Sequence, residues 1–185
     1  MFIAELDNTA NPVLPRGARD PLVRHPPTLM EKEAFSMEES TNQNQVIQTE
    51  RTVPYRPDEV YAAFADPTRL AKWWGPKDFT NTFETFEFRV GGSWKFIMHG
   101  PDGSNYRNES VFIGLEPGKK IVIQHVSPPH FTLSVSLLPS KTGTRVLWVS
   151  VFEDPKVVAA IRHIAEPGSE QNLDRLQMHL RGELK

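Results

Sequence analysis

Six histidines, His25, His99, His125, His130, His163 and His179, are the side chains best suited to metal or proton chemistry near neutral pH. They show neither the i, i+4 helical pairing nor the compact spacing of a metal site, and the chain has no cysteine, which excludes thiolate ligation and disulfide stapling. No metal and no cofactor is expected. No Gly-x-Ser-x-Gly elbow, phosphate loop or dinucleotide fingerprint occurs, and Gly91-Gly92 and Gly100–Gly103 read as hairpin glycines. Two acid/base candidates remain: His125, and Glu84, which is expected to face inward near the end of its strand; for each, a structural or solvent-facing role is the simpler reading. No catalytic signature emerges, and the protein reads as a non-enzyme. Trp73 and Trp74 form the most suggestive pair, because adjacent helical residues point about 100° apart. One ring can anchor its turn in the core while the other reaches a pocket mouth.

The elements that must position these residues begin at Val46. Residues 46–53 alternate as a strand that Pro54 ends. Pro57, Asp58 and Glu59 open a helix over 57–65, with Val60, Tyr61, Phe64 and Ala65 at helical spacing, and Asp66-Pro67 breaks it. A second short helical turn, 67–73, stops at Gly75-Pro76. Strands follow at about 79–90, 93–99, 105–115, 119–126, 130–139 and 143–152, separated by Gly91-Gly92, Gly100–Gly103, Glu116-Pro117-Gly118, Pro128-Pro129 and Pro139 with Gly143. Turns this short force neighbouring strands to run antiparallel. The chain closes with a helix over 155–164, an interruption at Pro167-Gly168, and a second helix over 169–181 with Leu173, Leu176 and Leu180 on one stripe. The order predicts an α+β fold in which an antiparallel sheet of about seven strands curls around the terminal helix.

Alternation separates the faces of that sheet. Placing Phe86, Phe88, Trp94, Phe96 and Met98 on the concave face sends Glu87, Arg89 and Lys95 outward, where they could pair with one another. The same phase puts Tyr106, Asn108, Ser110 and Phe112 inside, followed by Ile121, Ile123, His125, Phe131, Leu133, Val135, Leu137, Val146, Trp148 and Ser150. Such a surface, apolar and aromatic with a few polar tips, is the makeup of a small-molecule pocket. It is equally the makeup of a core packed under a helix. Trp73, Trp74, Phe86, Phe96, Met98, Tyr106, Asn108, Phe112, His125, Phe131 and Trp148 are the candidate ligand-binding residues, with Asn108 and His125 orienting the ligand.

Bulk properties narrow the class. The 185 residues are 38% hydrophobic and 10% aromatic, enough for one cored domain plus an appendage. The net charge is -2, and neither the acidic amino-terminal part nor the remainder has the basic excess of a nucleic-acid binder. Residues 1–45 hold five of the sixteen prolines and end in a polar run, so they are expected to form a disordered tail, with 28–37 as a transient helix or docking segment at most. Residues 46–185 form the domain. An acid near the start argues against an export signal, and no run reaches the roughly 18 apolar residues of a membrane span. A cytoplasmic protein without a membrane span is expected.

Several runs together resemble a known family. They are the stretch from Arg51 through Tyr61; Leu70-Ala71-Lys72-Trp73-Trp74-Gly75-Pro76; Phe88-Arg89-Val90-Gly91-Gly92-Ser93-Trp94-Lys95-Phe96; Met98-His99-Gly100-Pro101-Asp102-Gly103; and the tail from Gly168 through Asn172-Leu173-Asp174-Arg175-Leu176. In this order, over roughly residues 46–182, they resemble the family related to the activator of the heat-shock-protein-90 ATPase, within the START-like, polyketide-cyclase-like superfamily of helix-grip folds. The resemblance implies two short helices after the first strand, then six strands and a long helix gripped by the sheet, with a cavity between them. It implies an activity less sharply. Relatives are associated with binding of lipids or small hydrophobes, aromatic cyclisation, antibiotic self-resistance and stimulation of a stress chaperone's ATPase. The expected partner is therefore a hydrophobic small molecule. A chaperone or other protein partner, or a cyclase or hydrolase using the same cavity, are the alternatives.

Overall fold

The computed structural model describes residues 43–184. Strand β1 (Val46–Val53) leads into helix α1 (Pro57–Ala65) and helix α2 (Pro67–Trp73). Strands β2 (Thr80–Phe86), β3 (Ser93–His99), β4 (Asn105–Glu116), β5 (Lys120–His125), β6 (Phe131–Ser140) and β7 (Gly143–Phe152) follow, and α3 (Pro155–Leu180) ends the domain. The strands form one antiparallel sheet in the order β1-β7-β6-β5-β4-β3-β2. The first strand lies at one edge beside the last, so α1 and α2 must carry the chain across the concave face to β2 at the opposite edge. This is the α+β helix-grip arrangement expected from the order of elements. The tail assigned to residues 1–45 lies outside the described residues except for its last three.

Local chemistry fixes the helix ends. Asp66 joins α1 to α2: its carboxylate accepts hydrogen bonds from the Thr68 hydroxyl (2.6 Å), the Thr68 amide (2.8 Å) and the Arg69 amide (3.3 Å). These bonds, the Thr68 hydroxyl foremost, hold its pKa below the usual carboxylate range. At the start of α3 the Asp154 carboxylate accepts from the Lys156 amide at 2.8 Å. Gly91 has φ +77°, and a Cβ on Gly92 would lie 2.0 Å from the Glu87 carbonyl, so only glycine lets the chain double back between β2 and β3.

Two sequence expectations are corrected here. Helix α3 runs unbroken through Pro167-Gly168. Pro167 lies exposed on the outer side, where it costs one backbone hydrogen bond, and contacts on the inner side offset that loss. Arg51 of β1 pairs with Glu170 (2.9 Å) and Asp174, while Leu173 and Leu176 are fully buried. The second correction concerns β2, which is shorter than expected and carries a β-bulge: Phe83 faces Phe96 and Thr85 faces Lys95, leaving Glu84 as an extra residue. The bulge shifts the side-chain phase. Phe83 turns inward, and Glu84 points out to Arg107 at 3.0 Å instead of serving as an inward acid. On the outer face Arg89 does pair with Glu87 (3.2 Å), whereas Lys95 pairs with Glu109 (2.6 Å).

The interior divides in two. A large core joins α1, α2 and the later turns of α3 to the sheet through Phe64, Leu70, Trp73, Trp94, Phe112, Leu173 and Leu176. A smaller cluster of Ile47, Phe152 and Val158 ties β1 and β7 to the first turns of α3. Space remains between them.

Candidate functional site

That space is a cavity of about 290 Å³. Its floor is the concave sheet, including Ile47, Phe96, Met98, Ile123, Leu133 and Trp148; its roof is Ile161, Ile164, Ala165, Gly168, Ser169 and Asn172 of α3; and Trp74, Gly75 and Pro76 close one side. Small residues in the roof keep it open. Gly168 points inward with its nearest neighbour, Pro76, still 3.8 Å from where a Cβ would stand. Ile164, 65% exposed, marks the entrance.

The tryptophan pair divides as its geometry requires. Trp73 is fully buried and its indole N–H donates to the Ala63 carbonyl at 3.1 Å. Trp74 faces the cavity, its ring 5.3 Å from Trp148 and 4.8 Å from Trp94. The backbone that carries Trp74 is held from both sides. Asn81 donates to the Trp74 carbonyl (2.7 Å), and the Asn172 side-chain oxygen accepts from the Gly75 amide (2.6 Å). Arg175 donates to three carbonyls, of Lys72 (2.8 Å), Gly75 (3.1 Å) and Pro76 (2.6 Å). Gly75 itself has φ +99°, with Met98 Cε 3.2 Å from where its Cβ would stand, so a larger residue would be strained and crowded.

Polar groups gather at one end of the floor. The pairing registers align Phe152, Phe131, His125, Ser110, Trp94 and Phe86 in a single row across six strands. His125 is 8% exposed and stacks on Phe131 with centroids 4.6 Å apart. Its Nδ1 lies 2.9 Å from the Pro129 carbonyl, and its Nε2 lies 3.1 Å from Asn108 Oδ1 and 3.4 Å from the Ser127 hydroxyl. Burial pushes its pKa below the ordinary value; hydrogen bonding to the Pro129 carbonyl opposes that shift, and the like charge of His130 adds to it. The imidazole is neutral at pH 7. Ser110 and Ser150 are also buried in the floor.

Of the candidate residues, Trp74, Phe96, Met98, Asn108, His125, Phe131 and Trp148 meet at this cavity. The others stand elsewhere. Trp73, Phe86 and Phe112 pack in the large core, and Tyr106, 48% exposed, leans on Phe79 at the rim of the sheet. The roof residues of α3 and Pro129 were not anticipated; an apolar stripe over Val157, Val158, Ile161 and Ile164 was the available signal for the roof. Among the described residues no three His, Asp or Glu side chains converge as metal ligands, and no helix is long and apolar enough to cross a membrane.

The family model described as Activator of Hsp90 ATPase homolog 1-like protein matches residues 54–181. A solution structure from Arthrobacter aurescens has a TM-score of 0.70 at 25% identity, covering 76% of this chain and 88% of its own. A crystal structure from Nitrosomonas europaea has a TM-score of 0.69 at 19% identity, covering 76% and 97%. The AHSA1-like protein from Aeromonas hydrophila, solved in solution, has a TM-score of 0.62 at 19% identity, covering 74% and 92%. No curated protein matches the sequence at a significant level. Such similarity speaks to the fold and leaves the activity open. From the matched span and the shared arrangement of sheet and helices, the chain belongs to the Activator of Hsp90 ATPase homolog 1-like family, with its START-like, helix-grip fold.

Proposed function

We propose that this protein is a receptor, without catalytic activity of its own, for a hydrophobic or aromatic small molecule of lipid-like or polyketide-like character held between the sheet and α3. The observation that carries this reading is the cavity itself, apolar over most of its wall, with Asn108, Ser110, His125 and Ser150 as its few polar groups. A buried polar group left unpaired costs about 1–3 kcal/mol, so a site of this kind is better satisfied when filled. Trp74 and Trp148 supply flat contact surface, and Asn108 and His125 supply orientation. Native mass spectrometry of freshly purified protein tests the reading. The expected result is a bound mass released on denaturation and recovered by extraction into organic solvent. Protein that carries nothing, and that binds no apolar aromatic probe when titrated, would refute it.

The family description favours a second reading, regulation of an Hsp90-type ATPase through a protein surface. It predicts that the full chain changes the ATPase rate of such a chaperone at stoichiometric ratio. An unchanged rate and no complex in gel filtration would remove it.

A further inference from the structure

The polar end of the cavity is one proton short. The Pro129 carbonyl can only accept, so at 2.9 Å from Nδ1 it fixes the proton of a neutral His125 on that nitrogen and leaves Nε2 bare. On the other side, Asn108 donates its amide N–H to the Tyr106 carbonyl at 2.8 Å, which fixes the amide orientation. Turning that amide over would set two acceptor oxygens against each other. The two anchored groups therefore present Nε2 and Oδ1, both acceptors, 3.1 Å apart with no hydrogen between them. Ser127 answers the conflict only weakly: its oxygen accepts the Glu109 amide at 3.1 Å and its O–H is left to donate, but it stands 3.4 Å from Nε2, at the limit of a hydrogen bond, and it leaves Asn108 Oδ1 facing an acceptor.

Protonating the imidazole would close the gap, but it would place a charge in a buried site stacked on Phe131, with His130 repelling it. A donor brought by the ligand closes it without a charge. We propose that the ligand of this cavity is an apolar, ring-sized molecule bearing a weakly acidic hydroxyl, a phenol or an enol, whose O–H is shared by His125 Nε2 and Asn108 Oδ1. This inference rests on the receptor reading above and names the class of molecule received. A carboxylate does not fit, because an anion would face two acceptors, and a protonated His125 would have both N–H groups committed to Pro129 and Asn108. An ammonium group would need a counter-charge that the apolar wall does not offer. The hydroxyl oxygen of a phenol needs a donor in turn. Ser110, the register neighbour of His125 in the cavity floor, carries one.

Calorimetric titration of the full chain with 2-naphthol, naphthalene and 2-naphthoate separates the possibilities. The expected order is 2-naphthol about tenfold tighter than naphthalene, as one extra hydrogen bond allows, and 2-naphthoate weakest. His125→Leu should abolish the advantage of 2-naphthol, bringing the ratio of its affinity to that of naphthalene close to one. Should that variant not fold, Asn108→Leu serves the same purpose, and the ring ¹⁵N spectrum of the wild type gives a direct readout. Nε2 should be unprotonated at pH 7.5 and should shift on addition of 2-naphthol and not of naphthalene. Equal affinity for 2-naphthol and naphthalene, or a doubly protonated ring at pH 7.5, overturns this inference and leaves the receptor reading standing. Failure of all three compounds to bind overturns this inference, and overturns the receptor reading as well when the purified protein carries no bound molecule.

Discussion

At the β2–β4 end of the concave face, Phe83, Phe86, Trp94 and Phe112 pack with ring centroids 5.5–5.9 Å apart and fill the interior. Farther along the same concave face, where His125, Phe131, Leu133 and Trp148 form the floor together with Phe96 and Met98, about 290 Å³ stays empty. The sheet is alike in both halves, and what crosses it differs. The filled part is packed by α1 and α2 with Phe64, Leu70 and Trp73, joined by Leu173 and Leu176 of α3. Over the empty part lies the stretch of α3 that presents Ala165, Gly168 and Ser169. Whether a concave sheet becomes core or container is decided by the size of the side chains on the covering helix.

The largest expected effect separates the halves by stability. Trp94→Ala in the filled half should cost about 3–5 kcal/mol, whereas Phe131→Ala, at a site already bordering empty space, should cost roughly 1–2 kcal/mol. Urea denaturation measures both, and equal losses would mean that the two halves are packed alike. Next comes the strut between them. Arg175→Met leaves three carbonyls without their charged donor and should destabilise by about 2 kcal/mol, with Trp74 fluorescence shifting as its loop loosens. Gly168→Ala sharpens the contrast in the opposite direction. The helix gains about 0.5–1 kcal/mol because the new methyl meets only ordinary contact, and Gly168→Leu should fill the hollow and abolish probe binding without unfolding the protein.

The smallest effect is on pH dependence. Burial lowers the pKa of both His125 and His179 in the folded state. As pH falls below the ordinary value near 6.5, the unfolded chain takes up protons that the folded chain refuses, so stability falls until the folded values are passed and then levels off. Melting temperatures at pH 7.5 and 5.5 should show this loss, and His125→Leu should reduce it. The groups acting on His125 are His130, the Pro129 carbonyl and the Ser127 backbone; those acting on His179 are Arg69, Lys72 and Asp66.

Much of this arrangement was legible in the residues because the signals were local. Asp66-Pro67 and Gly75-Pro76 bound the helices, the hairpin glycines and prolines separate the strands, and alternation from Trp94 to Trp148 gives the inward face. Glu84 was misplaced because a bulge leaves no mark in composition: parity is lost by one residue, and nothing near Phe83 announces it. The continuity of α3 was hidden for another reason. Proline lowers helix propensity locally, while the bonds that hold the helix together come from Arg51, more than a hundred residues away. The bonding of His125 depends on Pro129, Ser127 and Asn108 meeting across a loop and a neighbouring strand. Spacing along the chain does not disclose such a meeting.

Pro167 has one more consequence. It deprives the helix of a rung directly beside the hollow, and the ties to Arg51, Asn172 and Arg175 all lie on its C-terminal side. The preceding turns are moored more lightly, by Val158 among its neighbours and by Arg162 reaching the Val46 carbonyl at 3.1 Å. The helix is therefore held unevenly, its side-chain ties crowded beyond the proline and sparse over the turns that carry Ile164.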